Sequence, residues 1–212
     1  MKNAFVALVA TAILASTASA GSASAEILTF DDVSVSSDQA IPNAYHGLTF
    51  NSFGFIGPAY GASGYRNGVV SGANSVCGCA ADNGRLYSSI TGTSAFSVDS
   101  GFFTSAWNNG ATLSITGLLD GAVLYTSSTI LNATGPTFIN LGFNGINEAR
   151  FAISGGTSAR IGSGAGNYFA VDNLSVNGAV PEPATWGMMI AGFGMMGAAL
   201  RTRRRSTTVS FA

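Results

Sequence analysis

From residue 26 to residue 176 the apolar positions recur at a spacing of two, in short runs broken by glycine, asparagine and aspartate. That period places alternate side chains on opposite faces of an extended chain and predicts half-buried β-strands. Glu26-Ile27-Leu28-Thr29-Phe30 is the first such run and ends at Asp31-Asp32. Leu48-Thr49-Phe50-Asn51-Ser52-Phe53 is the next, after a loop marked by Pro42, Asn43 and Gly47. Ala95–Val98 and Phe102–Trp107 precede an Asn108-Asn109-Gly110 turn. Thr112–Gly117 alternates strictly, and Asp120-Gly121 then signals a turn into Val123–Ser127. Phe138–Leu141, Ala149–Ile153 and Tyr168–Val176 complete the set.

Residues 57–84 interrupt the pattern. They are rich in Gly, Ser, Ala and Asn, with one short strand expected at Gly68–Val70, and they read as a long surface excursion. Nothing between residues 26 and 179 has the 3.6-residue period of an amphipathic helix. Repeated short strands with Gly and Asn turns predict an all-β fold, an antiparallel β-sandwich or barrel.

Both ends of the chain break from this pattern. Residues 1–25 carry one early charge, Lys2, then an apolar run, then Ala18-Ser19-Ala20 and Ala23-Ser24-Ala25. This is the layout of a secretory signal peptide, with a mature start at Gly21 or, preferred, Glu26. At the other end Pro181-Glu182-Pro183 forms a stiff extended spacer. An uncharged run to Leu200 follows, opened by Trp186 and stopped by Arg201, Arg203, Arg204 and Arg205. A hydrophobic helix closed by basic residues reads as a membrane anchor with a cytoplasmic basic end. A buried C-terminal core helix is the alternative, since residues 184–200 would span only about 26 Å of a hydrocarbon layer about 30 Å thick. The expected organisation is a signal peptide (1–25), an exported body (26–179), a sorting and anchoring segment (180–205, helix 184–200) and a cytoplasmic tail (206–212).

Charge refines the picture. The whole chain has a formal net charge of −1, but residues 26–179 hold four basic residues, all arginine, against nine acidic ones, a balance of −5. An acidic body disfavours nucleic acid and anionic membrane surfaces as partners. Cys77 and Cys79 are the only cysteines. In an oxidising compartment they pair locally, stay free or pair between molecules, or serve metal or redox chemistry; the sequence leaves these open. A zinc site needs about four ligands, and one histidine supplies no such cluster.

The Pro-Glu-Pro triplet, the Met- and Gly-rich segment opened by Trp186, and the arginine stop together closely resemble the PEP-CTERM sorting signal of Gram-negative bacteria. The resemblance covers about the last thirty-two residues. It implies recognition by an exosortase and cleavage near Pro181-Glu182-Pro183, so the protein would be held in the inner membrane and then released to the cell surface or beyond. The body resembles the jelly-roll domains of carbohydrate-binding modules and related PEP-CTERM ectodomains. The residues behind that likeness are Phe30-Asp31-Asp32, Leu118-Leu119-Asp120-Gly121 and Phe169–Val176.

Candidate chemistry is sparse. In a jelly roll the first and last strands lie close together, which would gather Asp31, Asp32 and Asp172 as oxygen ligands for a structural Ca²⁺. The alternative is that these aspartates cap strand ends in Asx turns. A sugar platform would use exposed aromatic faces, with Tyr45, Tyr60, Tyr65 and Trp107 as candidates and Asn67, Asn74, Asn108, Arg66 and Arg85 beside them. The alternative, which aromatic residues take more often, is that they are core or loop anchors. Catalysis finds no Gly-x-Ser-x-Gly elbow, a single His46 expected in a loop, and only Glu26 and Glu148 as body glutamates. The reading is a non-enzymatic exported surface or matrix protein associated with exopolysaccharide. A carbohydrate-binding module with a defined glycan and an envelope hydrolase are its rivals.

Overall fold

The computed structural model describes residues 25–80, 84–177 and 192–196. The strands, in chain order, are β1 (Glu26–Leu28), β2 (Asp38–Ala40), β3 (Leu48–Asn51), β4 (Phe53–Ile56), β5 (Ser75–Gly78), β6 (Ser88–Ser105), β7 (Asn108–Asn109), β8 (Ala111–Leu119), β9 (Ala122–Leu131), β10 (Thr137–Ser154), β11 (Thr157–Ser158) and β12 (Phe169–Asn177). One short helix, α1 (Gly64–Asn67), lies between β4 and β5. Every described strand pairing is antiparallel. The fold is all-β and sandwich-like, as the period-two pattern predicts.

Two long strands build both layers. The N-terminal part of β6 pairs with β3 and with the C-terminal part of β10, which in turn pairs with β8. The C-terminal part of β6 pairs with β12 and with the N-terminal part of β10. Register shifts between Asn140 and Glu148 mark where the ladder bends, with Gly142 and Gly145 at positive φ. Extra residues taken up as bulges let a strand turn without ending. One layer then runs β2-β4-β5-β12-β6-β10, and the other β3-β6-β10-β8-β9. The sequence pattern split β10 into two short strands, because Gly and Asn at its bend mimic a turn, and read β6 only as residues 95–98 and 102 onward, missing its first part.

The layers meet through aromatic rings. Phe151, on the C-terminal part of β10, stacks on Phe103 of β6 with centroids 6.0 Å apart. Their ladder partners are other residues, so the two rings touch across the interior. Phe53 and Phe169 join them at 5.8 and 5.9 Å from Phe151. Phe30, Leu48, Phe55, Ile90, Leu113 and Ile115 extend this buried core. The Asp120-Gly121 turn appears as expected: both residues have positive φ and join β8 to β9 as a two-residue hairpin.

β1 lies antiparallel to β12, pairing Glu26 with Val176 and Leu28 with Leu174. The first and last strands are therefore neighbours. The 57–84 segment corrects the expected surface excursion. Its residues Ser75–Gly78 are all buried and form β5, held between β4 and β12. The short strand expected at Gly68–Val70 is absent; a helical turn capped by Ser63 stands just before it. The expected signal peptide up to residue 24, residues 178–191, the arginine stop and the expected tail lie outside the described residues, as does Asp82.

Candidate functional site

Three places gather polar groups, and β1 leads directly into two of them. Phe30 is fully buried with φ of 61°, a left-handed backbone unusual for a bulky residue. That turn throws Asp31 and Asp32 to opposite sides. Asp31 Oδ1 accepts hydrogen bonds from the backbone N–H of Ala73 (2.8 Å) and Asn74 (3.0 Å). Asp172, fully buried on β12, accepts from Val70 N (2.6 Å), Ser71 N (2.9 Å) and Asn173 N (2.7 Å). The Ser71 hydroxyl reaches Asp31, Asp172 and Asn173. Asn74 Nδ2 donates to the Phe30 and Val33 carbonyls, both at 2.9 Å. Gly72 sits against Asp31 at φ of 49°, and a Cβ there would overlap the carboxylate.

The result is a carboxylate clamp on the 70–74 loop. Burial pushes the Asp172 carboxyl above the usual range; the N–H donors pull it back, and Asp31 adds to the rise. The expected calcium trio of Asp31, Asp32 and Asp172 is corrected here. Asp31 Oδ1 and both oxygens of Asp172 face N–H donors, which repel a cation, and Asp32 points elsewhere. Among the described residues no group of three His, Cys, Asp or Glu side chains is placed to hold a metal ion.

Asp32 belongs to the second place. Its Oδ1 accepts from the Tyr45 hydroxyl at 2.5 Å, and its Oδ2 lies 3.1 Å from His46 Nε2. His46 Nδ1 lies 2.6 Å from Glu26 Oε1. Both imidazole nitrogens thus face carboxylates, which accept from both only when the ring carries two protons. Burial is the largest single influence on the Asp32 carboxyl and raises it, but the hydrogen bonds from Tyr45 and His46 and the attraction of His46 together outweigh it and hold the group below the usual range. Burial and the Asp32 carboxylate push the Tyr45 hydroxyl far up, so it acts as a donor. The cluster ties the start of β1 to the 44–47 loop. Only the loop position of His46 was readable in advance; its partners are 14 and 20 residues away.

The third place is the outer face of the β2-β4-β5 sheet. Cys77, on β5, and Cys79, just beyond it, are joined in a disulfide with Cα atoms 5.5 Å apart. Ile56, Tyr65, Cys77, Ala106, Trp107 and Ala170 form a small apolar cluster there, with Tyr60, Cys79 and Tyr168 packed against it. Beside it a concavity of about 250 Å³ is lined by Asp38, Gln39, Tyr60, Tyr65 and both cysteines, among others.

These positions correct the aromatic platform. Tyr45, Tyr65 and Trp107 are only 6, 3 and 8% exposed. Tyr45 packs on Phe30 and Phe55, and Tyr65 on Trp107 edge to face at 5.6 Å. Gly164 lies against the indole so closely that a Cβ there would overlap it. Tyr60 alone of the four keeps a half-exposed ring, and it lines the concavity. Asn67 donates to the Ala133 carbonyl and Asn108 to the Gly155 and Gly166 carbonyls, so both anchor loops. Asp38 and Gln39 were not singled out in advance; lone polar residues in a serine-rich loop carry no signal.

Beyond β12, one stretch of sequence decides where the protein is sent. The chain carries a PEP-CTERM protein-sorting motif over residues 179–205. The PEP-CTERM motif marks an exported protein processed by an exosortase. Its residues Pro181, Glu182, Pro183, Trp186, Arg201, Arg203, Arg204 and Arg205 lie outside the described residues. Within the motif, residues 192–196 are helical, and no described helix is long and apolar enough to cross a membrane. No curated protein matches the sequence. Two solved structures resemble the fold, both carbohydrate-binding modules. TmCBM61, in complex with β-1,4-galactotriose, is 7% identical with a TM-score of 0.33, covering 64% of this chain and 93% of its own. CBM51 from Clostridium perfringens GH95, in complex with methyl-galactose, is 11% identical with a TM-score of 0.34, covering 72% and 99%. Likenesses this distant assign no ligand.

Proposed function

We propose that this PEP-CTERM protein is a non-enzymatic β-sandwich delivered to the cell surface or extracellular matrix, where it associates with exopolysaccharide. It is held in the inner membrane by residues 184–200 until an exosortase cuts near Pro181-Glu182-Pro183. The observation that carries the reading is the junction between fold and motif. β12 ends at Asn177 and the motif begins at residue 179. Every described strand therefore lies upstream of the cut, and processing would release the sandwich whole. A triple change of Pro181, Glu182 and Pro183 to Ala should leave export intact but block maturation. Intact-mass comparison of this variant with the parent, with and without the exosortase, is the test. An unchanged mature mass would overturn the reading.

A second reading, a defined glycan site, is favoured by one feature. The concavity presents a half-exposed aromatic ring, Tyr60, together with a carboxylate, Asp38, and an amide, Gln39. Sugars are held by stacking on such rings and by hydrogen bonds to such groups. Tyr60→Ala and Gln39→Ala should each weaken binding on a glycan array. Binding unaffected by both would place any glycan elsewhere.

A further inference from the structure

The Cys77–Cys79 disulfide has little to hold together. A disulfide stabilises mainly by closing a loop in the unfolded chain, and the effect grows with loop length. This one encloses a single residue, Gly78. The strand around it is already fixed. Cys77 pairs with Gly54 of β4 and Ala170 of β12, and Cys79 N donates to the Ser52 carbonyl at 2.8 Å. Gly78 owes its identity to packing, since a Cβ there would overlap the Phe169 ring.

The geometry nevertheless brings the sulfurs together and leaves one within reach of a reactant. Cys77, on β5, and Cys79, one residue past its end, share the outer face because the disulfide joins them there. Both line the concavity of about 250 Å³. Cys77 is 4% exposed, whereas Cys79 is only partly buried at the strand end. A small, accessible disulfide ring that contributes little to folding has the features of an exchangeable one.

We propose that Cys77-Gly78-Cys79 is a thiol–disulfide exchange site whose substrates are thiols: small-molecule thiols or cysteine side chains of other exported polypeptides. A substrate thiolate attacks Cys79 Sγ. The new bond joins the substrate sulfur to Cys79, the Cys79–Cys77 bond breaks, and Cys77 leaves as a thiolate that takes a proton from water. A second substrate thiolate attacks the substrate sulfur of this mixed disulfide and releases Cys79 as a thiolate, which is also protonated. Two substrate thiols are oxidised to one disulfide by two electrons, and Cys77–Cys79 is reduced to a dithiol. The buried leaving sulfur slows the first step, so the property is best read at equilibrium. The inference is independent of the sorting and glycan readings, because purified protein displays it without either.

The test equilibrates the folded, purified protein in buffers of stepped reduced-to-oxidised glutathione ratio, then traps thiols with a maleimide and counts adducts by intact mass. Two adducts should appear together within the range of these buffers, while the β-type far-UV spectrum stays unchanged. A disulfide that resists reduction until the protein unfolds would be a staple and would overturn the proposal. Single variants check which sulfur is attacked. With oxidised glutathione, Cys77→Ser, which keeps the accessible Cys79, should form about tenfold more mixed disulfide than Cys79→Ser, which keeps the buried sulfur. Equal yields would remove the assignment of Cys79 as the attacked sulfur.

Discussion

Asp31 and Asp32 are adjacent in the chain and both exposed, yet one joins a clamp around the buried Asp172 and the other a surface cluster. Asp31 and Asp172 accept backbone N–H groups of the 70–74 loop. Asp32 accepts from the Tyr45 hydroxyl and faces His46. In the clamp, removing the buried Asp172 carboxylate takes one acceptor from three backbone N–H groups at once. In the cluster, water can take over. The same residue type therefore has unequal energetic weight, set by what happens to its partners when it is gone.

Three of the predictions probe the clamp before the cluster, and they run from the largest effect down. Asp172→Ala strands the N–H groups of Val70, Ser71 and Asn173 and should cost about 3 kcal/mol. On a domain of this size that is a fall of about 10 °C in melting temperature. Calorimetry giving a change comparable with His46→Ala would erase the distinction. Gly72→Ala combines left-handed strain with overlap on Asp31 and should cost about 2 kcal/mol in urea titrations. Stability equal to the parent would show that the loop yields freely. His46→Ala removes the partly exposed contacts with Glu26 and Asp32 and should cost less than about 1 kcal/mol. Where the ring is protonated these contacts are ion pairs, and high salt should then shrink that loss, because screening weakens them in the parent. A salt-independent loss would place the residue's role in packing.

Acidity gives the comparison opposite signs. Asp32 is held below its ordinary value when folded, so it adds stability above the unfolded pKa, near 4, and loses it as pH falls through the folded value. Asp172 is raised when folded, so the folded state takes up its proton first. Its contribution declines as pH rises from about 4 through the folded value. Melting curves of Asp32→Asn and Asp172→Asn against pH should therefore diverge from the parent in opposite directions. Parallel curves would mean that the two carboxylates share one environment.

The difference also explains what could be read early. Period-two alternation made Leu48–Phe50, Thr112–Gly117 and Tyr168–Val176 legible as strands, because each presents one face to a core and one to another environment. β5 was not legible: Ser75–Gly78 is buried throughout, so alternation vanishes. β2 was hidden for the opposite reason, being exposed at every position. Of the candidate residues, Tyr60 keeps a half-exposed ring while Tyr45, Tyr65 and Trp107 went into packing. An aromatic residue in a loop carries no local sign of which side it will take.

By itself the sequence determined the class of fold, the Asp-Gly hairpin and the sorting motif. Each is written in contiguous residues, as a period, a turn dipeptide or an ordered signal. Only the tertiary structure decided that Asp31 and Asp172 share a loop while Asp32 turns to His46. It also decided that β5 is interior, and that the Cys77–Cys79 disulfide lines a concavity beside Asp38 and Tyr60. These depend on which strands become neighbours and on a left-handed turn at Phe30. Contacts between residues as far apart as Glu26 and Val176 follow from burying the aromatic core, and no local run of residues encodes them.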